Sequence, residues 1–232
     1  MPTTAALILV FVLAPLSGTG DPRIENDVDV GHWQGDVDWK LVAREGIDSA
    51  LAKATEDLSS TDPRSRFNWR EMRKAGLARG DCHYLDPARD GVEQARHFLH
   101  AIGPLEPGDL LPVADVRRMK RESNVEIANV LETFTDQVHR DTRLDCILSV
   151  STAFRREHLL PARATARTRP RRIMEFDTKE ARRLEMLPPR TIRRYTKRGR
   201  VAGVQGMYDR SRGRDLDSIR TPATSKSRSK GS

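Results

Sequence analysis

Cysteine is nearly absent: the 232 residues include two, Cys82 and Cys146. Two thiols make no disulfide framework, and neither sits in a Cys-x-x-Cys metal-ligand spacing, so stability must come from the core. Aromatic residues amount to 5% of the chain, and they are not interleaved with its basic stretches in the way base stacking requires. No apolar run approaches the ~20 residues of a membrane span. No Gly-rich phosphate-cradling motif occurs. His32, His97, His100, His139 and His158 fall at no metal-ligand spacing. These absences exclude collagen, coiled-coil and disulfide-scaffold classes. They leave an expectation of no metal and no cofactor.

Charge is abundant and unevenly spread. The net +8 conceals 12 basic against 19 acidic residues over 1–116, and 29 against 14 over 117–232. The sign changes at Arg117. A hydrophobic fraction of 37% still supports a core in a chain of this length. Ala5 to Leu16 form an apolar run followed by Ser17, Gly18, Thr19 and Gly20, the pattern of a secretory signal peptide over residues 1–20. A secreted protein is therefore expected. Thr221–Ser232 is rich in Ser, Lys and Arg and reads as a disordered tail, which leaves 21–220 as one domain.

Between Asp27 and Ser151, short apolar or β-branched runs alternate with helical spacing, the rhythm of βα units. Strands are predicted near Asp27–Val30, Ser49–Thr55, Ala78–Tyr84, Leu110–Val116 and Leu144–Val150. Helices are predicted at Trp39–Glu45, Pro63–Ala75, Gly91–Ile102 and Ser123–Arg140, the first three closed by Gly46, Gly76 and Gly103 as left-handed caps. After Phe154 the pattern weakens into a basic stretch, Pro161–Arg172, followed by short strands at Ile173–Phe176, Thr191–Tyr195 and Val204–Tyr208. The fold class is α/β, an irregular TIM-like barrel with five βα units followed by three strands.

In such barrels the reacting groups stand at the C-terminal ends of the strands. Asp29, Glu56, His83, Tyr84, Asp115 and Asp209 fall at predicted strand ends, and Trp33 follows the first strand. Any one Asp after a strand is an ordinary helix cap or turn residue. Several carboxylates around one mouth suit glycosidic cleavage, where one acid protonates the leaving oxygen and another stabilises the sugar cation. Cys82 and Cys146 are assigned to strands that are not neighbours and read as buried thiols.

The segment Asp27-Val-Asp-Val-Gly-His-Trp-Gln-Gly-Asp-Val-Asp-Trp39 resembles the opening of glycoside hydrolase family 25, the Chalaropsis-type lysozymes. Lys53-Ala-Thr-Glu56, His83-Tyr84, Arg89–Phe98, Leu111-Pro-Val-Ala-Asp115 and Gly199–Gly206 with Asp209 are similar to further segments of that family. The resemblance implies hydrolysis of the β-1,4 bond between N-acetylmuramic acid and N-acetylglucosamine in peptidoglycan. Asp29, Asp115 and Asp209 match acidic positions of the family's site, with Glu56 a weaker match; Trp33, His83, Tyr84 and Tyr195 are the substrate-contact candidates. Peptidoglycan strands are the expected partner of a monomer at the cell wall or outside the cell; nucleic acid is not expected.

One departure touches the chemistry. The family's fourth strand ends in Asp-x-Glu, whose Glu is the general acid, whereas this chain reads Asp115-Val116-Arg117. A guanidinium stays charged at ordinary pH and cannot protonate a leaving oxygen. It also favours ionised Asp115. Arg171-Arg172 and Arg193-Arg194 replace further aromatic positions of the family. Catalysis is therefore expected to be impaired; the alternative reading is a catalytically inactive peptidoglycan-binding relic, ahead of a basic nucleic-acid-binding protein.

Overall fold

A computed structural model of the chain describes residues 24–116, 122–159, 173–176, 191–206, 208–214 and 216–222. The expected signal peptide, the stretch Pro161–Arg172, the expected tail beyond Pro222, and Arg117 itself lie outside the described residues.

Among the described residues nine strands form one sheet: β1 Ile24–Val30, β2 Ser49–Glu56, β3 Ser60–Thr61, β4 Ala78–Tyr84, β5 Val113–Asp115, β6 Ile147–Ser151, β7 Ile173–Phe176, β8 Thr191–Gly199 and β9 Tyr208–Arg214. Pairing runs in parallel from β1 through β2, β4, β5, β6 and β7 to β8. It then turns antiparallel, β8 with β9 and β9 with β1, so the succession of pairs returns to its first strand. The class is mixed α/β, as read from the sequence.

Four helices follow the early strands: α1 Trp39–Arg44, α2 Ser65–Lys74, α3 Gly91–Ile102 and α4 Asn124–Thr142. The starts of α1, α3 and α4 carry side-chain caps, whereas α2 begins without one. Asp38 accepts from the Leu41 amide, Asp90 accepts from the Glu93 amide at 2.8 Å, and Ser123 with Glu126 forms a reciprocal capping box. Gly46, Gly76 and Gly103 have φ of 77°, 79° and 70°, the left-handed turns expected after the first three helices.

Alternation along the strands sorts side chains into two layers. On the helix side, Val28, Val30, Ala50 and Ala52 pack with Trp39, Val42 and Met72 under α1 and α2, while Ala114, Leu148 and Val150 pack with Phe98, Leu131 and Phe134 under α3 and α4. Burying each large apolar side chain contributes roughly 1.5–3 kcal/mol. On the inner side, Leu51, Cys82, Val113 and Ile147 meet Leu110, Leu111 and Ile219, so a helical turn near the C-terminus, Leu216–Ile219, closes the base of the sheet.

Several boundaries differ from expectation. The strand expected at Leu110–Val116 shrinks to Val113–Asp115, because Pro112 has no amide to donate; its carbonyl instead accepts from Ile147 at 2.8 Å. The strand expected at Val204–Tyr208 is displaced to Tyr208–Arg214. Residues 201–206 turn instead, with Gly203 and Gly206 at φ 94° and 74°. The hairpin strand β3 was not anticipated.

Candidate functional site

Layer assignment decides which polar residues can meet in the mouth. On β1, Val28 and Val30 belong to the helix side, so Asp27 and Asp29 face inward. On β5 the inward position next to Val113 is Asp115, with Ala114 and Val116 behind it. On β9, Tyr208 packs with the helix-side cluster, which turns Asp209 inward. Asp209 stands directly opposite Asp29 in the β1–β9 register. Sequence reading placed Asp209 at the end of the last strand, whereas it lies near the start of β9; because β9 runs antiparallel, its start reaches the same end of the sheet as the ends of β1 and β5. Asp29 and Asp115 are 9% and 1% exposed.

Glu56, Tyr84 and Asp115 occupy one register row across β2, β4 and β5, continued by Ser149 on β6. Glu56 is engaged: Lys53 Nζ donates to its Oε2 at 2.5 Å and also lies 4.6 Å from the centre of the Tyr84 ring. A lysine in the middle of an otherwise small and apolar strand is the signal that could have marked Lys53 beforehand. Its ammonium offsets the Glu56 carboxylate.

His83 does not reach the mouth. It alternates with Cys82 and Tyr84 and so faces the helices, fully buried, 5.2 Å from the Phe134 ring centre and 5.7 Å from that of Phe98. Thr55 Oγ1 lies 2.8 Å from Nδ1, and Nε2 lies 3.1 Å from the Gln94 carbonyl oxygen. That arrangement satisfies a neutral ring with the hydroxyl donating to Nδ1 and Nε2–H donating to Gln94. Burial pushes the imidazole down to about 4. A substrate in the mouth cannot touch it, and its assignment as a contact is corrected to a core role.

Trp33 is the most exposed large apolar side chain among the described residues, at 81%. It sits in a 3-10 turn, His32–Gln34, that follows β1 at the end of the strand where Asp29 lies. Trp39 is core, and Trp69 packs beneath the Arg79 guanidinium at 3.9 Å. Tyr195 lies within β8 at a shift of its register with β9, between Arg194 and Thr196, and Arg193 and Arg194 are backbone neighbours of Glu175 and Phe176.

The two thiols are buried and form no disulfide, and burial raises Cys146 to about 12, so it is no nucleophile. Among the described residues no cluster of three or more His, Cys, Asp or Glu could hold a metal ion, and no helix is long and apolar enough to cross a membrane. Sequence reading missed Asp62, whose carboxylate is fully buried and bonded to His32.

Comparison with known proteins agrees with the fold. A bacterial lysozyme structure from Streptomyces coelicolor superposes with a TM-score of 0.68 at 24% identity, covering 81% of this chain and 90% of that one. Uncharacterized protein YegX of Escherichia coli is 34% identical over 120 residues, 50% of this chain and 44% of its own length. Lysozyme M1 of Streptomyces globisporus is 37% identical over 82 residues, 35% of this chain and 28% of its own length. The aligned region thus spans less than half of these two curated relatives. The family model for glycosyl hydrolases family 25 matches residues 28–204, from within β1 to the turn before β9, and the chain belongs to that family.

Proposed function

We propose that this protein is a secreted, monomeric, lysozyme-type glycoside hydrolase of bacterial peptidoglycan, acting on the β-1,4 bond between N-acetylmuramic acid and N-acetylglucosamine without a cofactor. Its own turnover is impaired. What supports the reading is that Asp29, Asp115 and Asp209 share the inner face at the same end of the sheet. Such a set favours the positive charge that develops on the sugar carbon in the transition state. Trp33 offers a flat apolar face for a sugar ring beside them, with Tyr84 and Tyr195 as further contacts.

Impairment follows from the residue after Val116. Where the family pattern has the general acid, this chain has Arg117. Without a proton donor the leaving oxygen departs as an alkoxide, which typically costs about 10²–10⁴ in rate. Glu56 is poorly placed to substitute, because Lys53 holds its carboxylate. A second reading, peptidoglycan binding without turnover, is favoured by the same arginine.

Incubation with insoluble peptidoglycan tests both readings. The full chain is expected to be retained at moderate salt and, in a long digest, to release traces of fragments ending in reducing N-acetylmuramic acid. Retention without fragments selects the binding reading, and loss of retention at moderate salt contradicts both.

A further inference from the structure

A buried carboxylate anchors His32, whose ring lies against Trp33. Asp62 follows the β3 hairpin strand, yet its side chain is fully buried. One of its oxygens, Oδ2, accepts the His32 amide at 3.0 Å and lies 2.7 Å from His32 Nδ1, which therefore carries a proton. The other, Oδ1, accepts the Arg64 amide at 2.9 Å, and the Asp62 amide donates to the Ala54 carbonyl at 2.8 Å. Asp62 thus ties the turn after β1 to the rigid strand β2. The next link is the His32 ring, 4.3 Å from the Trp33 ring centre and tilted by 39°. From the opposite side, Gln34 Oε1 accepts the Gly31 amide at 2.8 Å, and a Cβ at Gly31 would come within 3.3 Å of Asp62 Oδ2. The turn is therefore fixed by several bonds, although its most prominent residue is an indole exposed to water.

We propose that Asp62 is a positioning residue for glycan binding: acting through His32, it fixes the plane of Trp33 as a platform for one sugar ring of the strand. The inference rests on the glycan reading above. The physical gain is pre-organisation. An indole free to rotate would lose that freedom when a sugar settles on it, whereas the clamped ring has lost it already.

The test is a fluorescence titration of the full chain with a soluble, uncross-linked glycan strand of alternating N-acetylglucosamine and N-acetylmuramic acid. The variants are Asp62→Asn, His32→Leu, Trp33→Ala and the Asp62→Asn/Trp33→Ala pair. His32→Leu leaves the backbone bonds to Asp62 in place and serves if Asp62→Asn fails to fold. Asp62→Asn and His32→Leu are each expected to weaken binding roughly three- to tenfold. Asp62→Asn is expected to add nothing once Trp33 is gone, because its effect passes through that ring. Unchanged affinity in both single variants, with Trp33→Ala weakening binding, overturns the inference. So does an Asp62→Asn effect of equal size with and without Trp33, which is the mark of a merely structural role. A wild-type chain that binds no glycan overturns instead the functional reading beneath it.

Discussion

His83 and Asp81 stand two residues apart on β4, face the helices and are buried, yet they pull stability in opposite directions with pH. Burial holds the His83 imidazole near 4, against about 6.5 in the unfolded chain. Below 6.5 the unfolded chain takes up a proton that the fold refuses, so stability falls as pH drops from 6.5 towards 4, by up to about 3 kcal/mol. Burial raises Asp81 well above its ordinary value, only partly offset by the Arg79 charge. Here the fold keeps a proton that the unfolded chain has released, so the contribution is complete at low pH and is lost as pH rises towards the folded value. Thermal melts separate the two. Relative to wild type, Asp81→Asn is expected to gain melting temperature more at pH 7 than at pH 4. The deficit of His83→Gln is expected to narrow as pH falls from 7 to 4.5. Parallel shifts of variant and wild type at every pH would contradict both assignments. Residue types were legible in the sequence, but the side of the strand each one faces was not. Ala-Arg-Gly-Asp-Cys-His-Tyr carries polar residues towards both layers, which is why His83 was placed in the mouth and Asp81 passed unnoticed.

Elements were legible where capping and apolar periodicity coincide. The span Gly91–Ile102 was read correctly to the residue, since Asp90 caps its start and Gly103 its end. The last strand was not, because Tyr-Asp-Arg-Ser-Arg-Gly-Arg has no apolar alternation; its inner side is filled by Asp209 and Ser211 rather than by aliphatic residues. Helix packing yields a sharp expectation at Gly91. A Cβ there would overlap Thr133 Oγ1 and the Val130 carbonyl of α4. Alanine's better helix propensity is worth at most about 1 kcal/mol, whereas forcing two helices apart costs typically 1–3 kcal/mol. Gly91→Ala should therefore lower the denaturation midpoint; a rise would show that α3 and α4 can separate freely. At the base of the sheet, Ile219 is 1% exposed among Leu51, Val113 and Ile147, so Ile219→Ala should cost about 2–5 kcal/mol. No change in chemical denaturation would remove the segment from the core.

At the scale of the whole molecule, the two halves of the charge distribution carry different information. The acidic half contains β1 to β5 and the residues by which the family is most readily recognised. The basic half supplies Asp209, the strands that lead back to β1, and the closing turn. The α/β class and the early βα succession were legible because apolar strands and capped helices follow one another at regular intervals. The return of the sheet to its first strand was less so, because it depends on the antiparallel β9 and on polar pairings invisible to hydropathy. The change of charge sign begins at Arg117, which stands where the family pattern has its proton donor. The measurement is the rate at which purified cell walls clear under the wild-type chain and under Arg117→Glu at equal concentration. Restoring the acid is expected to speed clearing by about a hundredfold or more. Rapid clearing by the wild-type chain, unchanged in Arg117→Glu, would contradict the account.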